Sequence, residues 1–101
     1  MQATLHLVDS NKLGDFYFTK DAGTMARQLL VEGFYTEAGT IEVFGKCEQD
    51  ACEEFFDLTN NPGRQAERQV RYGRGRSASV GDIVEVDGEM FVCRPNGWLA
   101  V

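Results

Sequence analysis

Asp50, Glu53, Glu54 and Asp57 stand at i, i+3, i+4 and i+7. On a helix that spacing stacks four carboxylates into one stripe. Like charges so placed repel by a few tenths of a kcal/mol each, and no basic residue shares that face to offset them. Such a stripe is either a solvated helix face or a surface that docks on a basic partner, including one that normally holds a nucleic-acid backbone. An ion needs a loop that wraps it. A line of carboxylates has none, so no metal and no cofactor is expected.

The second charged feature is of opposite sign. Arg64, Arg68, Arg71, Arg74 and Arg76 share residues 64–76 with one acid, Glu67. Two uses compete for them. They can pair in cis with the acidic helix, or they can follow a phosphate backbone while Tyr72 stacks on a base, with Arg71, Arg74 and Arg76 as the contacts. Against nucleic acid, a dedicated binder is usually basic overall, and this chain carries a formal charge of −6. That figure is an average of unlike parts: residues 1–60 hold four basic against eleven acidic residues, and residues 61–101 hold six against five.

Little else could do chemistry. The single histidine, His6, alternates with Leu5 and Leu7 in a strand pattern and points to the opposite face. No hydrolase elbow, metalloprotease, Walker or dinucleotide motif is present. Gly73-Arg74-Gly75-Arg76 lacks the spacing of a phosphate loop. Cys47 and Cys52 lie about 140° apart around a helix axis, the wrong geometry for one ion, and an odd count of three cysteines suits free thiols. The reading is a protein that is not an enzyme.

These residues need elements to hold them. The pattern predicts strands at 2–8 and 16–19, with turn residues between them. An amphipathic helix spans 21–32, carrying Ala22, Met25, Ala26, Leu29 and Leu30 on one face. Asp21 is placed as its N-cap and Gly33 as its stop. Phe34–Phe44 is extended, with the strand proper at Thr40–Phe44 and a bulge or break at Gly39. A second helix covers 47–60, with Ala51, Cys52, Phe55 and Phe56 facing inward. Residues 61–79 read as an extended arginine-rich loop, open to a short helical turn around 64–70. Asp87-Gly88 marks a tight hairpin between strands at 83–86 and 89–94, and a last strand follows at 98–101, with Trp98 more suited to capping it than to binding. The order β-β-α-β-α-loop-β-β-β makes an α+β domain, a mainly antiparallel sheet with two helices on one face. It is one domain over 1–101: a ββαβα part at 1–60, the loop at 61–79, and a C-terminal β-unit at 80–101.

Composition agrees with a folded domain: 43% hydrophobic, 11% aromatic and two prolines among 101 residues. No apolar run nears the roughly 20 residues that span a bilayer, and the first residues lack the basic start of a signal peptide. The expected compartment is the cytoplasm, without membrane contact.

The stretch Arg74-Gly75-Arg76-Ser77-Ala78-Ser79-Val80-Gly81-Asp82, then Asp87-Gly88, Phe91-Val92-Cys93 and Gly97-Trp98, resembles the C-terminal module of the YodL-like group of small phage and mobile-element proteins. The resemblance covers residues 74–101. It implies a phage or mobile-element context, hence a host cytoplasm, and supplies no active site. The expectation is a non-enzymatic binding protein acting on a host protein with a basic surface, as an inhibitor of a host defence or nucleic-acid-processing complex. The alternatives are a nucleic-acid-binding accessory protein using Arg64–Arg76, and an assembly subunit.

Overall fold

The computed structural model describes residues 1–101. Its elements are β1 (Gln2–Val8), α1 (Ala22–Val31), β2 (Tyr35–Glu42), α2 (Glu48–Asn60), α3 (Gln65–Arg71), β3 (Ile83–Val86), β4 (Glu89–Arg94) and β5 (Gly97–Ala100). A 3-10 segment, Ser10–Tyr17, joins β1 to α1. The strands form one antiparallel sheet in the order β2-β1-β3-β4-β5. The fold is α+β with a five-stranded antiparallel sheet.

The Asp87-Gly88 hairpin forms as its sequence predicts, with Asp87 at φ 52° and Gly88 at φ 84°. The Asp21 carboxylate caps α1 by accepting the Thr24 amide at 3.0 Å, and Gly33 ends it at φ 84°. The β1–β2 register shifts between Leu5 and His6, which leaves a bulge beside Gly39.

Three expectations are corrected. Residues 16–19 are not a strand: Phe16 lies within the 3-10 segment at 2% exposure, whereas Phe18, just past its end, is 89% exposed. Both edges of β1 are already paired, by β2 and β3, so no edge remains beside it for a hairpin partner. The Asp9 carboxylate instead caps a local turn by accepting the Asn11 amide. Next, α1 and α2 lie on opposite faces. On one, α2 sends Ala51, Cys52, Phe55 and Leu58 against Leu5, Val84 and Phe91. On the other, α1 sends Ala22, Ala26 and Leu29 against Val8, Ile83 and Val92. The reason is that β3 and β4 are apolar on both faces, and each face needs a cover. Finally, residues 61–79 are not a loop throughout: of the two forms open for 64–70, the helical one is found, at Gln65–Arg71. Arg64 and Arg71 meet Glu67 at i−3 and i+4 and support that turn.

Candidate functional site

The acidic stripe forms on α2 and is divided by what lies beside it. Glu54 and Asp57 face α3, and Arg64 reaches between them. Its Nη1 donates to Glu54 Oε1 and Asp57 Oδ2, both at 2.8 Å. Its Nη2 donates to Glu54 Oε2 at 2.9 Å and to Glu67 Oε2 at 2.7 Å. Arg71 Nη1 binds the same Glu54 and Glu67 carboxylates, while its Nη2 donates to the Glu42 carbonyl at 2.6 Å. The bidentate Arg64–Glu54 pair is the strong form of this contact. The Arg64 hydrogen bonds, joined by those of Arg71, hold the Glu54 carboxyl down at about 2. Glu67 is lowered by the same two guanidinium groups.

Asp50 and Glu53, the other half of the stripe, are exposed and have no ion pair. Asp50 Oδ2 accepts the Lys46 amide at 3.0 Å and so fixes the turn that enters α2. That turn is tight: a Cβ on Gly45 would lie 2.6 Å from the Asp50 Cβ. It also throws out Phe44, which is 97% exposed. A groove of about 570 Å³ lies between Phe44 and Gly45, Asp50 and Glu54 of α2, and Glu67 and Arg71 of α3. Three carboxylates and one guanidinium line it.

The arginine segment turns largely inward. Arg71 is held as above. The Tyr72 ring meets Phe55 edge-on at 5.6 Å, and its hydroxyl donates to the Arg76 carbonyl at 2.7 Å. Burial raises the Tyr72 phenol above its ordinary value. Arg68 donates to the carbonyls of Thr59 and Gly75 and to Ser77 Oγ. Arg76 donates from Nη1 to Asp82 Oδ2 at 2.8 Å and from Nη2 to Asp82 Oδ1 at 2.9 Å and the Val8 carbonyl at 3.0 Å. Arg74 alone of the suggested phosphate contacts is exposed and unpaired. The four residues Arg71, Tyr72, Arg74 and Arg76 therefore present no shared open surface.

Asp82 stands outside the predicted site residues, yet it organises the segment ahead of β3. It is fully buried. Besides Arg76 it accepts the Val8 amide at 2.8 Å and the Ser79 amide at 2.7 Å. Gly81 beside it has φ 97°, and a Cβ there would lie 2.5 Å from the Phe16 ring. The signal was present: an acid between Gly81 and the apolar run Ile83-Val84 has no solvent face to occupy. Arg76, Ser79, Gly81 and Asp82 of the R-S-x-S-V-G-D pattern thus form a clasp that ties the segment before β3 to the end of β1.

The remaining candidates are placed simply. His6 Nε2 lies 3.0 Å from Glu85 Oε1 on the open part of the sheet. Cys52 and Cys93 are buried and Cys47 is exposed, all as free thiols. Burial pushes both buried thiols up to about 12. Trp98 is 7% exposed and meets Phe56 edge-on at 6.5 Å. No group of three or more His, Cys, Asp or Glu side chains is arranged to hold a metal ion. No helix is long and apolar enough to cross a membrane. Comparison of the chain with family models, with curated proteins and with solved structures found no match.

Proposed function

We propose that this chain is a non-enzymatic binding protein that docks on a basic protein surface through the N-terminal half of α2 and the groove beside it. The observation that carries the reading is Phe44, a wholly exposed aromatic at the rim of a groove whose acids outnumber its cations. Aromatic side chains are the usual anchors of protein interfaces. Carboxylates around such an anchor steer a basic partner and fix its register. Asp50 and Glu53 have no ion pair and serve this; Glu54 and Asp57 already engage Arg64, and Glu54 with Glu67 lines the far wall. The arginines of residues 64–76 are mostly engaged by the chain's own acceptors, which favours the acidic surface over the basic segment as the contact.

The resemblance of residues 74–101 supports a phage or mobile-element protein working in a host cytoplasm. On that reading the partner is a host protein, and blocking a basic groove of a defence or nucleic-acid-processing complex is the outcome. The test is capture from the host with the wild-type chain and with Phe44→Ala/Glu53→Lys, two substitutions at exposed positions. The expected result is a protein retained by the wild type, released as salt shortens the screening length from about 10 Å to about 3 Å, and lost with the variant. Equal retention by both chains would remove this surface from the function.

A further inference from the structure

The sheet has two outer strands, and they differ in how they meet solvent. Exposed edges template pairing with other strands, and proteins blunt them with charges, bulges or covering groups. The β2 edge has all three. Glu37 and Glu42 lie in the strand, the bulge beside Gly39 breaks its register, and the Arg71 guanidinium caps the Glu42 carbonyl. The β5 edge has none. Gly97-Trp98-Leu99-Ala100, with Val101 after it, carries no charged side chain and no proline.

The register shows which backbone groups face outward. The Val101 amide donates to the Met90 carbonyl. In the antiparallel ladder this makes Met90/Val101, Val92/Leu99 and Arg94/Gly97 the hydrogen-bonded pairs. Trp98 and Ala100 therefore direct their amides and carbonyls away from β4, and no group of the chain bonds them. Donors and acceptors two residues apart on an uncharged strand are self-complementary about a two-fold axis.

We infer that two copies of this chain pair antiparallel through β5, with Trp98 of each bonded to Ala100 of the other and the two Leu99 residues facing across the axis. Four hydrogen bonds form, and the two sheets become one of ten strands. The contact is isologous, and because the β2 edge is blocked the assembly closes at two copies. A second copy is the occupant because the outward amides and carbonyls of Trp98 and Ala100 match their own copies about a two-fold axis, and β5 holds no charged side chain to add to the repulsion between two chains of charge −6. Salt screens the residual repulsion, so pairing strengthens with salt, opposite to the salt response of the α2 surface.

Ala100→Pro isolates the contact. It deletes an outward amide that β4 does not use, and proline is tolerated on an edge strand whose N–H faces solvent. Light scattering and sedimentation of the full chain at about 100 μM are expected to give twice the 11.3 kDa chain mass. For Ala100→Pro they are expected to give the single chain mass, with an unchanged circular dichroism spectrum and melting point. Two bonds are lost per dimer, which weakens association at least roughly tenfold. A monomeric wild type at both low and high salt overturns the inference. So does a folded Ala100→Pro chain that still dimerises. A dimer abolished by Phe44→Ala/Glu53→Lys but kept by Ala100→Pro would place the contact on α2 and also overturn it.

Discussion

Asp82→Ala tests the reading of the clasp most directly. The carboxylate is fully buried and accepts four hydrogen bonds between 2.7 and 2.9 Å, two from Arg76 and one each from the Val8 and Ser79 amides. Removing it leaves a guanidinium that is only 31% exposed and has carbonyl acceptors alone. Deleting one partner of a buried ion pair costs about 3–5 kcal/mol. A buried amide left without an acceptor costs about 1–3 kcal/mol, and the two effects overlap. The expected loss is about 4 kcal/mol, against a total of about 5–15 kcal/mol for a domain. In a chain of this size that lowers the melting point by roughly 15–30 °C. Asp82→Asn keeps one acceptor oxygen but turns an amide against Arg76, and falls between the wild type and the alanine variant. Urea unfolding followed by circular dichroism measures each step, and the Arg76→Ala/Asp82→Ala cycle measures the coupling. A loss below about 1 kcal/mol for Asp82→Ala, or a coupling indistinguishable from zero, would refute the clasp as a stabilising unit.

Three further outcomes are expected. In the native chain only Cys47 reacts promptly with a thiol reagent at pH 8 as roughly one equivalent, while Cys52 and Cys93 react after unfolding; prompt labelling of all three refutes their burial. Glu54 titrates near 2 when folded and at its ordinary 4.5 when unfolded. Because the folded value is the lower, its contribution is present above 4.5 and fades as pH falls toward 2, so Glu54→Gln flattens the melting-point profile across that window and an unchanged slope counts against the clamp. Gly81→Ala forces a Cβ into the Phe16 ring at a left-handed φ, for a loss of about 2–4 kcal/mol, whereas Gly88→Ala, with the same handedness and open space, loses only about 1 kcal/mol; equal losses would show that the Phe16 contact contributes nothing.

Local signals were legible and relations between distant segments were not. Asp21, Gly33 and Asp87-Gly88 each set a backbone conformation by their own chemistry, and each does so in the fold. The stripe on α2 follows from spacing alone. Phe16 and Phe18 misled because alternation over four residues cannot distinguish a strand from a turn that buries one ring and exposes the other. The two-sided burial of β3 and β4 was written in the unbroken runs Ile83-Val84 and Phe91-Val92-Cys93, which need cover on both faces. Glu54 lies on α2 and Arg64, ten residues on, lies just ahead of α3, so no periodicity links them. The same holds for Asp82 and Val8, which meet only when β1 lies beside β3.

The arginine segment gains a definite meaning from these contacts. Arg64 and Arg71 hold α3 against α2, and by doing so they build the wall of the groove that Phe44 overhangs. Arg76 closes the clasp on Asp82. A phosphate backbone would have to strip Arg71 and Arg76 from partners at 2.6–3.0 Å and leave Asp82 buried without its cation, which is the situation that costs several kcal/mol. Folding and phosphate binding are therefore competing uses of the same guanidinium groups. The acids at Asp50 and Glu53 face no such competition, because no intramolecular cation meets them. The basic segment shapes the acidic surface, and Asp50 and Glu53 are the acids of that surface left without an intramolecular cation.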